Sequence, residues 1–290
     1  MSGQLSDTDL ILNTDGSVYH LHLLEEHIAD HVIIVGDQGR VAQISKHFDK
    51  TESQIQNREF VTHTGYIGQN RITVLSTGIG TDNIDIAINE LDAAINIDPK
   101  TRHQKTVKRK LNIVRIGTSG TLQADIEVGS QVISQFGLGF DGVLHYYKYH
   151  YDALENELQK KIREHLNWNA PLAYPYVCKV STPLFNKLSE GMIPGITASS
   201  PGFYGPQGRK LRLEPLYPDI NSRLQSFSHK NYRVTNFEME TSALYGLGNL
   251  LGHNCCTCCT IIANRITKKF SKDYHKDVDR LIGVVLERIF

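Results

Sequence analysis

Residues 111–120 read LNIVRIGTSG, an apolar run that closes on Gly, Thr, Ser and Gly. Leu111, Ile113, Val114 and Ile116 crowd together with little polar alternation, as in a strand covered on both faces. The design occurs twice upstream. HVIIVG (31–36) is a strand that Gly36 ends, and GRVAQISKHF (39–48) then sets Val41, Ile44 and Phe48 at helical spacing. RITVLSTGIG (71–80) is another strand ending in glycines, with a helical stripe of Ile84, Ile88, Leu91 and Ile95 behind it. Leu154, Leu158, Ile162 and Leu166 mark a further helix, and Val278, Leu281, Ile282, Val285 and Ile289 a C-terminal one. Strands alternating with helices, the strands apolar throughout, predict an α/β protein whose sheet is covered on both faces. No repeat and no linker divides the chain, so residues 1–290 read as one domain.

Composition narrows the function. The 290 residues are 40% hydrophobic and 21% charged, an ordinary globular balance. Lys plus Arg and Asp plus Glu both number 31, which argues against non-specific nucleic-acid binding as the main task. No apolar run approaches the roughly 18 residues that span a bilayer. The N-terminal MSGQLSDTDLILNTDG is polar and lacks the pattern of a signal peptide, so a cytoplasmic protein is expected. Cys255 and Cys258, in CCTCC (255–259), have the CxxC spacing of a metal site. A second ligand pair is missing apart from Cys178; the alternative is a buried strand continuing into TIIANR (260–265). DPKTRHQKTVKRK (98–110) is strongly basic and reads as a solvated connection or a nucleic-acid arm, the former favoured.

Ligands collect beyond the carboxyl ends of strands in such sheets. GDQGR (36–40) turns into a helix, offers backbone amides to an anion and adds Arg40. RIGTSG (115–120) brings Arg115, Thr118 and Ser119 to a second loop, a combination suited to phosphate. STGIG (76–80) supplies a third accessible backbone. None is a P-loop or a GxGxxG fingerprint. NFEMET (236–241) sets Glu238 and Glu240 around Met239 just before an apolar helix of Ala243, Leu244, Leu247 and Leu251. One glutamate suits the helix dipole; the pair suggests a second use, since carboxylates accept from sugar hydroxyls. PGFYGPQGR (201–209) has too many glycines and prolines for a long helix or central strand, which leaves Gln207 and Arg209 on an irregular, exposed segment.

Taken in order, GDQGR, NREF (57–60), STGIG, RIGTSG, FYGPQGR, NFEMET and ANR (263–265) resemble the nucleoside phosphorylase-I (PNP/UDP) family, and within it the uridine phosphorylases. The resemblance runs from about His20 to the C-terminal helix, leaving 1–18 as an N-terminal extension and 98–110 as a basic insertion. It implies a three-layer phosphorylase/hydrolase-like fold, a central mixed and partly barrel-like sheet flanked by helices. It also implies phosphorolysis of uridine, and of deoxyuridine as a further candidate, to uracil and the sugar 1-phosphate in pyrimidine salvage.

By the same resemblance Gly36, Arg40, Arg58, Arg115 and Thr118 bind phosphate, Arg58 from a neighbouring subunit. His20 also crosses the interface, toward the ribose 5′-hydroxyl, while Met239 and Glu240 clamp the ribose. Phe203 stacks on uracil, Gln207 and Arg209 read its edge, and Gly120 lies beside it. Arg40, Arg115, Gln207 and Arg209 would carry catalysis, with orthophosphate as co-substrate and no required cofactor. Relatives can hold a monovalent cation such as K+ between subunits; Glu59 matches its glutamate, but Asn83 stands where a serine is expected. Dimers or a trimer of dimers would follow, with no nucleic-acid or membrane partner.

The rival readings are a purine nucleoside phosphorylase, a hydrolase of the same fold and a non-catalytic nucleoside binder. Purine enzymes carry an aspartate after the penultimate strand, where this chain has Asn264 and Arg265.

Overall fold

The computed structural model describes residues 3–168 and 171–290. Its first half is β1 (His31–Val35), α1 (Gln38–Ser45), β2 (Lys50–Asn57), β3 (Phe60–Ile67), β4 (Asn70–Ser76), α2 (Thr81–Asn96), β5 (Asn112–Thr121) and β6 (Gln131–Gly139). Then come α3 (Ala153–Leu166), β7 (Tyr176–Lys179), α4 (Thr182–Leu188), β8 (Ile193–Ser199), α5 (Ile220–Ser226), β9 (Ser228–His229) and β10 (Tyr232–Glu238). The chain closes with α6 (Thr241–Leu251), β11 (Asn254–Asn264), β12 (Lys269–Phe270) and α7 (Tyr274–Arg288).

β5 organises the sheet. It pairs in parallel with β11 along its whole length, from Asn112 to Thr121. β11, β6, β8 and β10 follow in turn, and β10 returns to β5, closing a mixed barrel. β1, β4, β3 and β2 extend from the other part of β5 as an open wing. The neighbour of β5 on that edge therefore changes. Its β1 pairing ends at Arg115, and its β10 pairing starts at Gly120. Between them the sheet splits, and the ends of β1 and β10 diverge around the gap.

This corrects one expectation. Thr118 and Ser119 are in β5, which runs to Thr121, and not in a loop after it. β11 supplies ladder partners through GTSG, so pairing overrides the turn-like composition.

The apolar stripes fall where their spacing places them. Ile84, Ile88, Leu91 and Ile95 of α2 pack with Leu244 and Leu247 of α6 against one side of the sheet. Val41 and Ile44 of α1 and Val278, Leu281, Ile282 and Val285 of α7 cover the other. Leu158, Ile162 and Leu166 of α3 pack with α5 against the barrel. Burying one such side chain contributes about 1.5–3 kcal/mol. Phe48 lies beyond the end of α1 and reaches the same core partly buried.

CCTCC is the middle of β11, and its cysteines are buried and free. Cys255 and Cys258 are three residues apart on a strand, so they face opposite sides and enter different cores. They cannot converge on one ion. The basic segment links α2 to β5 and fastens the N-terminal residues. Arg102 donates to Leu5 O at 3.1 Å and Ser6 O at 2.9 Å, and also to Leu10 O. Lys105 and Arg109 pair with Glu25 and Asp30, each at 2.6 Å. Among the described residues no helix is long and apolar enough to cross a membrane.

Candidate active site

The split in the sheet opens into a cavity of about 500 Å³. Gly36 and Arg40 line it from the end of β1 and the start of α1, Arg115, Thr118, Ser119 and Gly120 from β5, and Glu238 to Glu240 from the end of β10. Phe203, Gln207 and Arg209 close it from the loop after β8.

One end is built around two arginines. Arg40 sits in the first turn of α1, whose cap Asp37 accepts from Gly39 N at 2.9 Å. Its guanidinium is buried and donates to Ile116 O at 3.3 Å. Burial, and then the charge of Arg115, hold Arg40 below the ordinary arginine value. Arg115 is also buried. Its Nη1 lies 3.2 Å from Glu238 Oε2 and donates to Cys259 Sγ at 3.5 Å, while its Nη2 donates to Glu240. Burial opposes the charge on Arg115, but Glu240 and Glu238 outweigh it and raise the group. Gly117 makes the room: a Cβ there would overlap the Arg115 guanidinium.

The two glutamates do different work. Glu238 accepts from Glu240 N at 3.0 Å, Thr241 N at 3.0 Å and Ser199 Oγ at 2.5 Å, fastening the start of α6. Glu240 accepts from Gly80 N at 2.9 Å and Met239 N at 3.2 Å. Gly80 has φ +104°, a conformation that favours glycine, and this brings the amide to the carboxylate. Burial pushes the Glu240 carboxyl up and Glu238 adds to it, against the pull of Arg115.

The other end carries neutral and cationic donors. Arg209 Nη1 donates to Gln207 Oε1 and to Phe203 O, both at 2.5 Å. Its Cζ lies 3.8 Å from the centroid of the Phe203 ring, a cation–π contact. Burial, and then repulsion from Arg265, lower Arg209 to about 10. Gln207 is only 3% exposed, contrary to the expectation of an exposed segment. The loop folds back on itself: Asn221 Nδ2 donates to Gln207 O at 3.1 Å and Ser200 Oγ to Pro206 O at 3.1 Å.

Arg265 is not among the residues lining the cavity, but it stands directly beside Gly120, which is. A Cβ on Gly120 would stand 3.7 Å from Arg265 Cδ, and Arg265 Nη1 is buried with no hydrogen-bond partner among the described residues. Its signal was the ANR motif itself, a cation directly after a strand that ends at the split. Asn264, beside it, is fully engaged. It donates to Gln123 O at 3.0 Å and Ile126 O at 2.9 Å, and accepts from Ile266 N at 3.0 Å and Thr267 N at 2.9 Å.

Of the expected residues, Gly36, Arg40, Arg115, Thr118, Gly120, Phe203, Gln207, Arg209, Met239 and Glu240 share the cavity. His20, Arg58, Glu59 and Asn83 are not among the residues lining it. His20 and Arg58 lie close together: Asn57 Nδ2 donates to His20 O at 2.8 Å, and Arg58 Nη2 to Tyr19 Oη at 3.5 Å. Glu59 and Asn83 meet at Gly78, where a Cβ would stand 3.3 Å from Glu59 Cγ and overlap the Asn83 amide.

Known proteins resemble this chain along nearly its whole length. The profile of the phosphorylase superfamily matches residues 30–289. A uridine phosphorylase of Thermococcus kodakarensis is 31% identical over 274 residues, 91% of this chain and 83% of that one. One from Haemophilus influenzae is 29% identical, covering 88% and 90%. A Trypanosoma brucei nucleoside phosphorylase whose crystal structure is described as showing uridine phosphorylase activity superposes with a TM-score of 0.88 at 26% identity, covering 97% of this chain and 99% of that one. With the profile spanning the fold and such identity along nearly the whole chain, this protein belongs to the phosphorylase superfamily.

Proposed function

We propose that the protein cleaves uridine with orthophosphate, releasing uracil and ribose 1-phosphate. The observation that carries the reading is the Gln207–Arg209 pair, held 2.5 Å apart in the cavity that also holds Arg40, Arg115 and Glu240. Uracil presents O2, N3–H and O4 on one edge. A glutamine amide can accept from N3–H and donate to O2, and an arginine can donate to O4. Deoxyuridine offers the same edge.

The chemistry follows from where charge develops. Breaking the glycosidic bond leaves positive charge on the ribose and negative charge on uracil. In this reading Arg40, Arg115, Thr118 and the Gly36 backbone hold phosphate beneath the ring. Glu240 accepts from the ribose hydroxyls and Met239 packs below the sugar. Arg209 and Gln207 stabilise the leaving uracil, and one preorganised donor of this kind is worth about 3 kcal/mol. Arg265 adds positive potential at the same end. No nucleophilic side chain is needed.

Asn264 favours a pyrimidine over a purine. Its amide is fully engaged with backbone groups and leaves no acid to protonate a purine. His20 and Arg58 would complete the site of a neighbouring copy. Glu59 and Asn83 would hold a monovalent cation together with groups from that copy, which would neutralise the carboxylate and fasten the interface. A cytoplasmic role in pyrimidine salvage fits this activity. The reading is tested by comparing kcat/KM for uridine and inosine; faster cleavage of inosine would overturn it.

A further inference from the structure

Glu90, on α2, is not among the residues lining the cavity. Its carboxylate receives a cluster of N–H groups from the segment that carries His20. His20 N donates to Oε2 at 2.9 Å and to Oε1 at 3.1 Å, and Leu21 N donates to Oε2 at 2.9 Å. His20 Nδ1 lies 2.6 Å from Oε1. The backbone on the other side of His20 is held as well, through Asn57 and His20 O at 2.8 Å. The Tyr19 ring meets the imidazole edge-on, with centroids 4.8 Å apart. Both the place and the plane of the ring are thus fixed by groups outside the cavity.

An ionised carboxylate accepts and does not donate. The short Nδ1 contact therefore calls for a proton on Nδ1, and in the tautomer that carries it there alone Nε2 is an acceptor. An Nε2 lone pair takes a hydrogen bond from a hydroxyl group. We infer that Glu90 is a positioning residue for nucleoside selection: it fixes His20 as the Nδ1–H tautomer so that Nε2 accepts from the ribose 5′-hydroxyl in the neighbouring copy's site. This rests on the reading above that His20 meets that hydroxyl. It adds that the choice for a 5′-hydroxyl is set by a carboxylate on α2, 70 residues along the chain from the histidine.

Glu90→Gln is the informative substitution. The glutamine oxygen can still accept from the amides of His20 and Leu21, so the backbone turn is kept. Its NH2 group can donate to Nδ1, which moves the ring proton to Nε2. Nε2–H then offers a donor to an oxygen whose own hydrogen loses its acceptor.

Two measurements test this on the assembled protein. The first is the nitrogen-15 spectrum of histidine-labelled protein, with His20→Ala to assign the signals. Neutral His20 is expected protonated at Nδ1 in the parent and at Nε2 in Glu90→Gln; an Nε2–H tautomer in the parent overturns the inference. The second is the ratio of kcat/KM for uridine over 5′-deoxyuridine. It should fall severalfold in Glu90→Gln, toward but short of the ratio of His20→Ala, because the hydroxyl oxygen can still accept from Nε2–H. A ratio that collapses in His20→Ala but stays at the parent value in Glu90→Gln overturns the role of Glu90. A ratio unmoved by His20→Ala overturns the placement of His20 on which the inference stands.

Discussion

Arg115 and Glu240 form a buried ion pair on the wall of the cavity, so the arginine proposed for phosphate is already held by the carboxylate proposed for ribose. The two roles can be separated. Glu240→Gln removes a negative charge beside the phosphate position and weakens the ribose acceptor. We expect the phosphate KM to fall severalfold, because a like charge is gone. We expect kcat/KM for uridine to fall about 30-fold, the loss of one charge-assisted hydrogen bond of about 2 kcal/mol. Steady-state kinetics with each substrate varied would show the opposite movements. A phosphate KM that rises in parallel would mean that Glu240 serves mainly to hold Arg115.

At the base end, Arg209→Ala should lower kcat/KM for uridine by about 100-fold, the scale of one lost donor to a developing anion. Because Arg209 also stacks on Phe203, Arg209→Lys should recover only part of the loss. Full activity in the alanine variant would remove Arg209 from the mechanism.

His20 and Arg58 stand together but are not among the residues lining the cavity of their own chain. If they complete a twofold neighbour's site, Arg58→Ala and Glu240→Ala chains should each be nearly inactive alone. Co-refolded at equal concentration, half the dimers are mixed, and each mixed dimer keeps one intact site. Activity should then return to about a quarter of the parent's. No recovery in confirmed mixed dimers would mean that Arg58 acts within its own chain or not at all.

The thiols give a pH prediction. Burial pushes Cys178 and Cys255 up, and Cys259 to about 12. Each holds its proton more tightly folded than unfolded. Stability from this source is therefore complete below the unfolded thiol value of about 8.5 and declines as pH rises through the folded values. The melting temperature should fall from about pH 8.5 upward, less steeply in Cys259→Ala. Iodoacetamide at pH 8 should label these thiols only after denaturation; rapid labelling of the native protein would contradict their burial.

The elements that carry the fold were legible where packing is local. The apolar run of β1 and the Ile84–Ile95 stripe of α2 announce themselves because each buries a face that its own spacing defines. The phosphate and ribose groups were legible as motifs at strand ends. What failed to show depends on distant partners. β5 continues through GTSG because β11 pairs with it there. Gln207 is buried because α5 and Ser200 hold its loop down. Glu90 meets His20 only through the folded arrangement of α2 and the N-terminal segment, and nothing local in NELD (89–92) marks it.

Uridine phosphorolysis is the central claim, and the most direct test is to follow uridine with and without orthophosphate while identifying the sugar released. The account predicts that uracil appears only with phosphate and that the sugar product is ribose 1-phosphate. Equal rates in phosphate-free buffer, with free ribose as the product, would contradict it and make the enzyme a hydrolase.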